Sequence, residues 1–235
     1  MTPPSLQHTL GILKMLARRS AINHPSLAKQ RLAAVASSAA IVFLVLPCGF
    51  CQGAETPSQS ASRAKPWVSL FDGKTLAGWT VAGCQATVQD GAILLESGNG
   101  VLQSNQAYRD FVLEVEWKAL KPDAWDSGIF FRAGDPPAGR PWPKDYQVNL
   151  RKGMEGNVGN LKDAHSEGLT RPGEWNHFKL TVVGTTAALQ INGQPAWKAD
   201  GLELRSGPLA LQAEVPNGGQ FLFRKIRIQE LDPKR

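Results

Sequence analysis

The chain has 235 residues, 42% of them hydrophobic, with 26 basic against 20 acidic residues and a formal charge of +6. That length allows one large all-β domain or two small domains, and the apolar fraction suffices for a core. The positive charge does not mark a nucleic-acid binder. Lys14, Arg18, Arg19, Lys29 and Arg31 fall in residues 1–53 without a single acid, which leaves +1 for the remainder. A near-neutral domain with no basic stripe excludes nucleic acid as its partner.

Residues 1–53 are expected to be a signal segment. A basic region ends at Arg31, and an apolar run follows from Leu32 to Leu46. Pro47 stops any helix there. Cys51 and Gly53 place small residues before a cut between Gly53 and Ala54, as export signals require. The run falls short of the roughly 20 apolar residues of a membrane span, so no transmembrane segment is expected in the mature chain. An uncleaved anchor is the alternative. The domain is therefore expected to be exported. Cys48 and Cys51 form a Cys-x-x-Cys pair, but no βαβ pattern surrounds it, which argues against a redox motif. Cys84 is then the sole cysteine of the mature chain. Residues 54–66 are rich in Ser, Ala and Pro and read as a flexible linker.

From Trp67 onward the chain alternates with period two, as half-buried strands do. Asp72-Gly73 is a turn signal, and Asp90-Gly91 predicts a hairpin between 86–89 and 92–96. Gly98-Asn99-Gly100 reads as a further turn. Phe111, Leu113, Val115, Trp117 and Ala119 point inward; Val112, Glu114, Glu116 and Lys118 point outward. Phe178, Leu180 and Val182 repeat the inward pattern. Asn192-Gly193 is the strongest hairpin signal in the chain. No segment keeps a 3.6-residue apolar period, so the fold expected for 67–231 is all-β, with almost no helix after residue 66.

Two central stretches carry the polar chemistry, 126–133 (DSGIFFRA) and 146–151 (YQVNLR). In the first, alternation sets Ile129 and Phe131 inward and Gly128, Phe130 and Arg132 on the other face. In the second, Val148 and Leu150 face in, while Gln147, Asn149 and Arg151 form a polar row. Amides donate and accept and guanidinium donates, so such a row suits a ligand of hydroxyls and carbonyls. A merely solvated sheet face is the plainer reading. The proline-rich loop 134–145 and the polar loop 152–173 flank the second stretch, and long loops of this kind are often functional.

The motifs at 71–79 (FDGKTLAGW), 126–132 (DSGIFFR), 146–150 (YQVNL), 173–176 (GEWN), 191–193 (ING), 207–212 (GPLALQ) and 223–228 (FRKIRI) together resemble the bacterial 3-keto-disaccharide hydrolase domain family, over about Trp67 to Leu231. The resemblance implies a concanavalin-like jelly-roll sandwich of two antiparallel sheets. It also implies cleavage of glycosides whose sugar is oxidised at carbon 3. A ketone there acidifies the hydrogen on carbon 2, and the enolate formed by its removal expels the leaving group on carbon 1. Such a site needs a base and an enolate stabiliser. Many relatives read Tyr-Glu-Val-Gln where this chain has Tyr146 to Asn149, and Asp-His where it has Ala213-Glu214. Gln147 is no base, so another residue must supply it, or the domain binds carbohydrate without cutting it, as a binding or adhesion module.

On this basis Arg132 is the expected enolate stabiliser, and His165 and Glu214 are the expected bases, with Glu155, Asp163 and Glu167 as further candidates. Asp126, Gln147, Asn149 and Arg151 are expected to bind substrate, with Trp125 and Trp142 stacking on a sugar ring. Each has a plainer role open to it: a turn cap for Asp126, a salt bridge for Arg132, a wet loop for His165, the core for either tryptophan. The two histidines of the mature chain have no zinc spacing, so no metal site is expected. A divalent cation on oxygen ligands of the loops stays open. The expected partner is a carbohydrate.

Overall fold

A computed structural model of the chain describes residues 64–232, and none of them is helical. The leader and most of the linker lie outside these residues. Eleven strands follow one another: β1 (Val68–Ser69), β2 (Trp79–Gln89), β3 (Ala92–Tyr108), β4 (Phe111–Ala119), β5 (Gly128–Phe130), β6 (Gln147–Asn149), β7 (Asn176–Val183), β8 (Thr186–Ile191), β9 (Gln194–Asp200), β10 (Gly207–Val215) and β11 (Phe221–Glu230). All pairings are antiparallel, in the order β6-β5-β10-β3-β11-β4-β7-β8-β9, with β1 on β11 and β2 on β3. Two halves face each other across the core, and hydrogen bonds join them into one curled sheet.

β3 is where the halves meet. Its start pairs with β11 (Ile93↔Phe223) and its later part with β10 (Leu102↔Leu211), while β2 runs along its other edge. The glycines 98 and 100, expected to make a turn, instead bend a continuous strand. Gly98 has φ +90°, and a Cβ on Gly100 would overlap the carbonyl oxygen of Ala82 on β2. Glycine serves close backbone approach here, not chain reversal.

The expected hairpins form. Asp90-Gly91 and Asn192-Gly193 both adopt positive φ at each position, the geometry that matches strand twist. All twelve inward positions predicted in the four segments, from Phe111 to Val182, lie in one buried cluster. Fully burying one such side chain stabilises by about 1.5–3 kcal/mol, so this cluster dominates the fold. Trp117 stands edge-on to Phe178 at 5.5 Å between centroids. The linker's last residues already belong to the fold: Ala64 bridges to Leu231, and the Lys65 N–H donates to the Glu230 carbonyl.

Candidate active site on the β6-β5-β10 face

β5 and β6 are only three residues each, shorter than their alternation suggests. Tyr146 and Arg132, which bracket the β5–β6 loop, both have φ near +45°. Left-handed backbone at these non-glycine positions ends the ladder. The consequence for Arg132 corrects its expected role. The turn breaks the period-two parity, and the side chain leaves the polar face. Arg132 is 0% exposed. Its Nε donates to the Arg109 carbonyl, its Nη1 to those of Gly184 and Leu204, and its Nη2 pairs with Asp110 at 2.9 Å. Burial lowers its pKa and Asp110 pulls it back up. The donors are committed to tying three chain segments together, so no enolate reaches them. The same parity break puts Ala133 beside Phe130 instead of with Phe131.

The polar row is present, and it extends onto a third strand. Gly128 stands opposite Asn149 and Phe130 opposite Gln147, while β10 places Ala210 beside Phe130 and Leu211 beside Ile129. One residue further, Gln212 falls beside Gly128. A Cβ on Gly128 would overlap the Gln147 side chain, so the glycine leaves a lane across β5. Through it Gln147 Nε2 donates to Gln212 Oε1, and Gln212 Nε2 donates to Glu214 Oε2 at 3.3 Å. A chain of two amides thus ends on a carboxylate.

Asp126 and Arg151 complete the group. Arg151 Nε lies 3.8 Å from Asp126 Oδ2, and the Arg151 N–H donates to Asn149 Oδ1 at 2.6 Å. Burial pushes the Asp126 carboxyl up, against the pull of Arg151. Burial also raises Glu214, with the Asp126 charge adding and Arg151 opposing. A carboxyl raised by burial and by a neighbouring carboxylate keeps its proton more readily than a free one.

Next to the polar row lies an apolar floor of Val101, Phe130, Ala133 and Ala210, against which Trp142 of the β5–β6 loop packs half-buried. Trp142 therefore borders the face. Trp125 does not: it is 4% exposed and part of the core, with Lys152 Nζ 5.3 Å from its ring centre. His165 is exposed on the β6–β7 loop and has no hydrogen bond or ion pair to Gln147, Gln212 or Glu214. Nor do Glu155, Asp163 and Glu167 join that chain. The loop is held by bonds of its own: the Gly156 N–H donates to the Asn149 carbonyl, Trp197 Nε1 to that of Gly156, and Ser166 Oγ to that of Glu155. Among the described residues no three His, Cys, Asp or Glu side chains are disposed to hold a metal ion. Sequence reasoning missed Gln212. Its signal was a lone amide inside the apolar run 209–213, and it is buried with a role on both sides.

A curled antiparallel sheet of this kind is the fold of the concanavalin- and galectin-like jelly rolls. Solved structures with the same fold include a candidate glycosyl hydrolase from Parabacteroides distasonis, with TM-score 0.56 and 19% identity, covering 71% of this chain and 100% of that one. A Bacillus subtilis protein with a galectin-like fold gives TM-score 0.52 at 12% identity, covering 73% and 97%. Within this class the chain belongs to the 3-keto-alpha-glucoside-1,2-lyase-like domain family, whose profile matches residues 66–229. A 3-keto-disaccharide hydrolase of Bacteroides thetaiotaomicron is 34% identical over 84 residues, 30% of this chain and 28% of that protein.

Proposed function

We propose that the domain cleaves glycosides bearing a ketone at carbon 3, with Glu214 as the base. The observation that carries this reading is the Gln147–Gln212–Glu214 hydrogen-bond chain. Relatives by resemblance place a carboxylate at the position of Gln147; here the amide occupies it and the carboxylate stands at its far end, on β10. In this scheme Glu214 takes the proton from carbon 2. The electron pair moves to the carbon-3 oxygen, where Arg151 offsets the developing charge. The enolate then collapses, the bond from carbon 1 to the leaving oxygen breaks, and Asp126 supplies that oxygen with its proton. The products are an unsaturated 3-keto sugar and the free alcohol, and addition of water to the former completes hydrolysis. Gln147 and Asn149 hold ring hydroxyls, and Trp142 lies against the sugar face. The raised pKa of both carboxyls favours groups that give and take protons.

A second reading, carbohydrate binding without catalysis, draws on the amide at Gln147, which holds hydroxyls but accepts no proton. The two separate in one experiment. The protein is incubated with a 3-keto-disaccharide and with the same disaccharide unoxidised, and both binding and product are followed. The enzyme reading expects cleavage of the 3-keto form alone; binding of both forms with no product leaves the binding reading. We further propose that the domain acts outside the cytoplasm, on the strength of the basic-then-apolar pattern of residues 1–53. Sequencing the amino terminus of the exported protein tests it, and a full-length cytoplasmic product rejects it.

A further inference from the structure

The other half of the sandwich carries a cavity of about 540 Å³ on its outer surface, walled by Trp67, Glu114, Glu116, His177, Lys225 and Arg227. Its volume falls in the range of small-ligand sites. The side chains around it are paired unequally. Glu114 holds Arg227, with Lys179 and His177 each at 3.8 Å, and Glu116 holds Arg224 at 2.7 Å and Lys225 at 2.8 Å. Four permanent cations thus share two carboxylates.

The backbone is shaped to produce that surplus. β11 breaks register between Arg224 and Arg227, and Lys225 sits in the bulge at φ +50°. In an unbroken strand Lys225 would alternate away from Arg224, into the core. The bulge keeps both outside and gives the core position to Ile226, which is buried. A left-handed lysine is strained by about 1–2 kcal/mol, and bulges of this kind re-aim side chains next to functional sites. The guanidinium groups are held in place: Arg224 lies 3.8 Å over the Trp175 ring and Arg227 4.7 Å over Trp67. Arg224 gives its Nε to Glu116, and Arg227 its Nε and Nη2 to Glu114. Among the described residues the remaining Nη groups have no further bond, and donors oriented in this way bind at less entropic cost.

We propose that this cavity binds the carboxylate or sulfate of an acidic glycan, as a second saccharide site on the half of the sandwich away from Glu214. The cation surplus selects an anion, Trp67 supplies a wall for a sugar ring, and the volume admits one or two rings. The test is calorimetric titration of the full chain with a glucuronate-containing disaccharide, a sulfated disaccharide and a neutral disaccharide. At least one acidic sugar binds, more weakly as salt rises, and the neutral one binds at least tenfold more weakly. Lys225→Gln weakens the acidic sugar by about tenfold, the scale of one charge-assisted hydrogen bond. Lys225 is 66% exposed, so the variant keeps the fold, and its turnover of 3-keto-disaccharide stays at the unmutated level. Which acidic sugar binds identifies carboxylate or sulfate as the group recognised. Failure of both acidic sugars to bind, equal binding of the neutral one, or an unchanged affinity in Lys225→Gln overturns the proposal.

Discussion

The two outer faces of this sandwich solve the same problem in opposite ways. On the β4-β7-β11 face each carboxylate has more cations than it needs. Burial raises Glu116, but hydrogen bonds from Lys225 and Arg224 outweigh it and its pKa is lowered. On the β6-β5-β10 face the carboxylates are left short. Asp126 and Glu214 share the attention of Arg151, Glu214 gains only the neutral amide of Gln212 besides, and both are raised. The first arrangement holds charge still. The second leaves a proton easy to move, which is what a base and an acid require. A face rich in ion pairs is therefore the weaker candidate for chemistry, although it contains more charge.

The comparison can be broken or sharpened at several points. The largest effect is expected at Arg132, which belongs to neither face. Arg132→Ala leaves Asp110 buried without its partner and should cost about 3–5 kcal/mol in urea unfolding. A merely catalytic arginine would lose turnover with stability unchanged. Next comes Gly128→Ala, whose Cβ takes the lane of Gln147. It should cost about 1–3 kcal/mol from overpacking and displace the amide chain, so turnover falls in protein that still folds. Substrate-binding variants Gln147→Ala and Asn149→Ala should weaken sugar binding by less, about 0.5–1.5 kcal/mol for each neutral hydrogen bond, in calorimetric titration.

The smallest effects carry the sharpest contrast, because the two faces should respond to pH with opposite sign. Glu214 has a folded pKa above its unfolded value, so the folded state binds more protons. Its contribution to stability is present below the ordinary carboxylate range and is lost as pH rises through the raised value. Glu214→Gln should remove that loss and be at least as stable as the unmutated domain at neutral pH. Glu116 has a depressed pKa, so its contribution is present above the ordinary range and is lost as pH falls through the lowered value. Glu116→Gln should be less stable at neutral pH, by about 0.2–1 kcal/mol, the usual worth of exposed ion pairs. Thermal melts of both variants between acid and neutral pH check the two signs together.

The sequence was legible where burial decides the pattern. Phe111 to Ala119 alternates because one side meets the core and the other water, and the structure follows it except at Glu114, which faces outward but is buried under its ion pairs. Asn192-Gly193 was legible because few residues tolerate positive φ twice in succession. Arg132 was not, since one left-handed residue reverses the parity on which its face was read. Trp125 was ambiguous by nature, a large ring that suits a core as well as a sugar. The row Gln147, Asn149 and Arg151 was visible, but its extension to Gln212 was not, because neighbouring strands β5 and β10 are about eighty residues apart in sequence. Register between distant strands is a tertiary fact. For the same reason Glu214 could be named as a substitute base, while its link to Gln147 had to come from the fold.

The most direct measurement is the turnover of a 3-keto-disaccharide by Glu214→Gln, in protein whose melting curve shows it folded. With Glu214 as the base, turnover should fall by about 10²–10⁴, the usual contribution of general base catalysis, while the sugar still binds. Turnover at the unmutated level would place the base elsewhere and contradict the assignment.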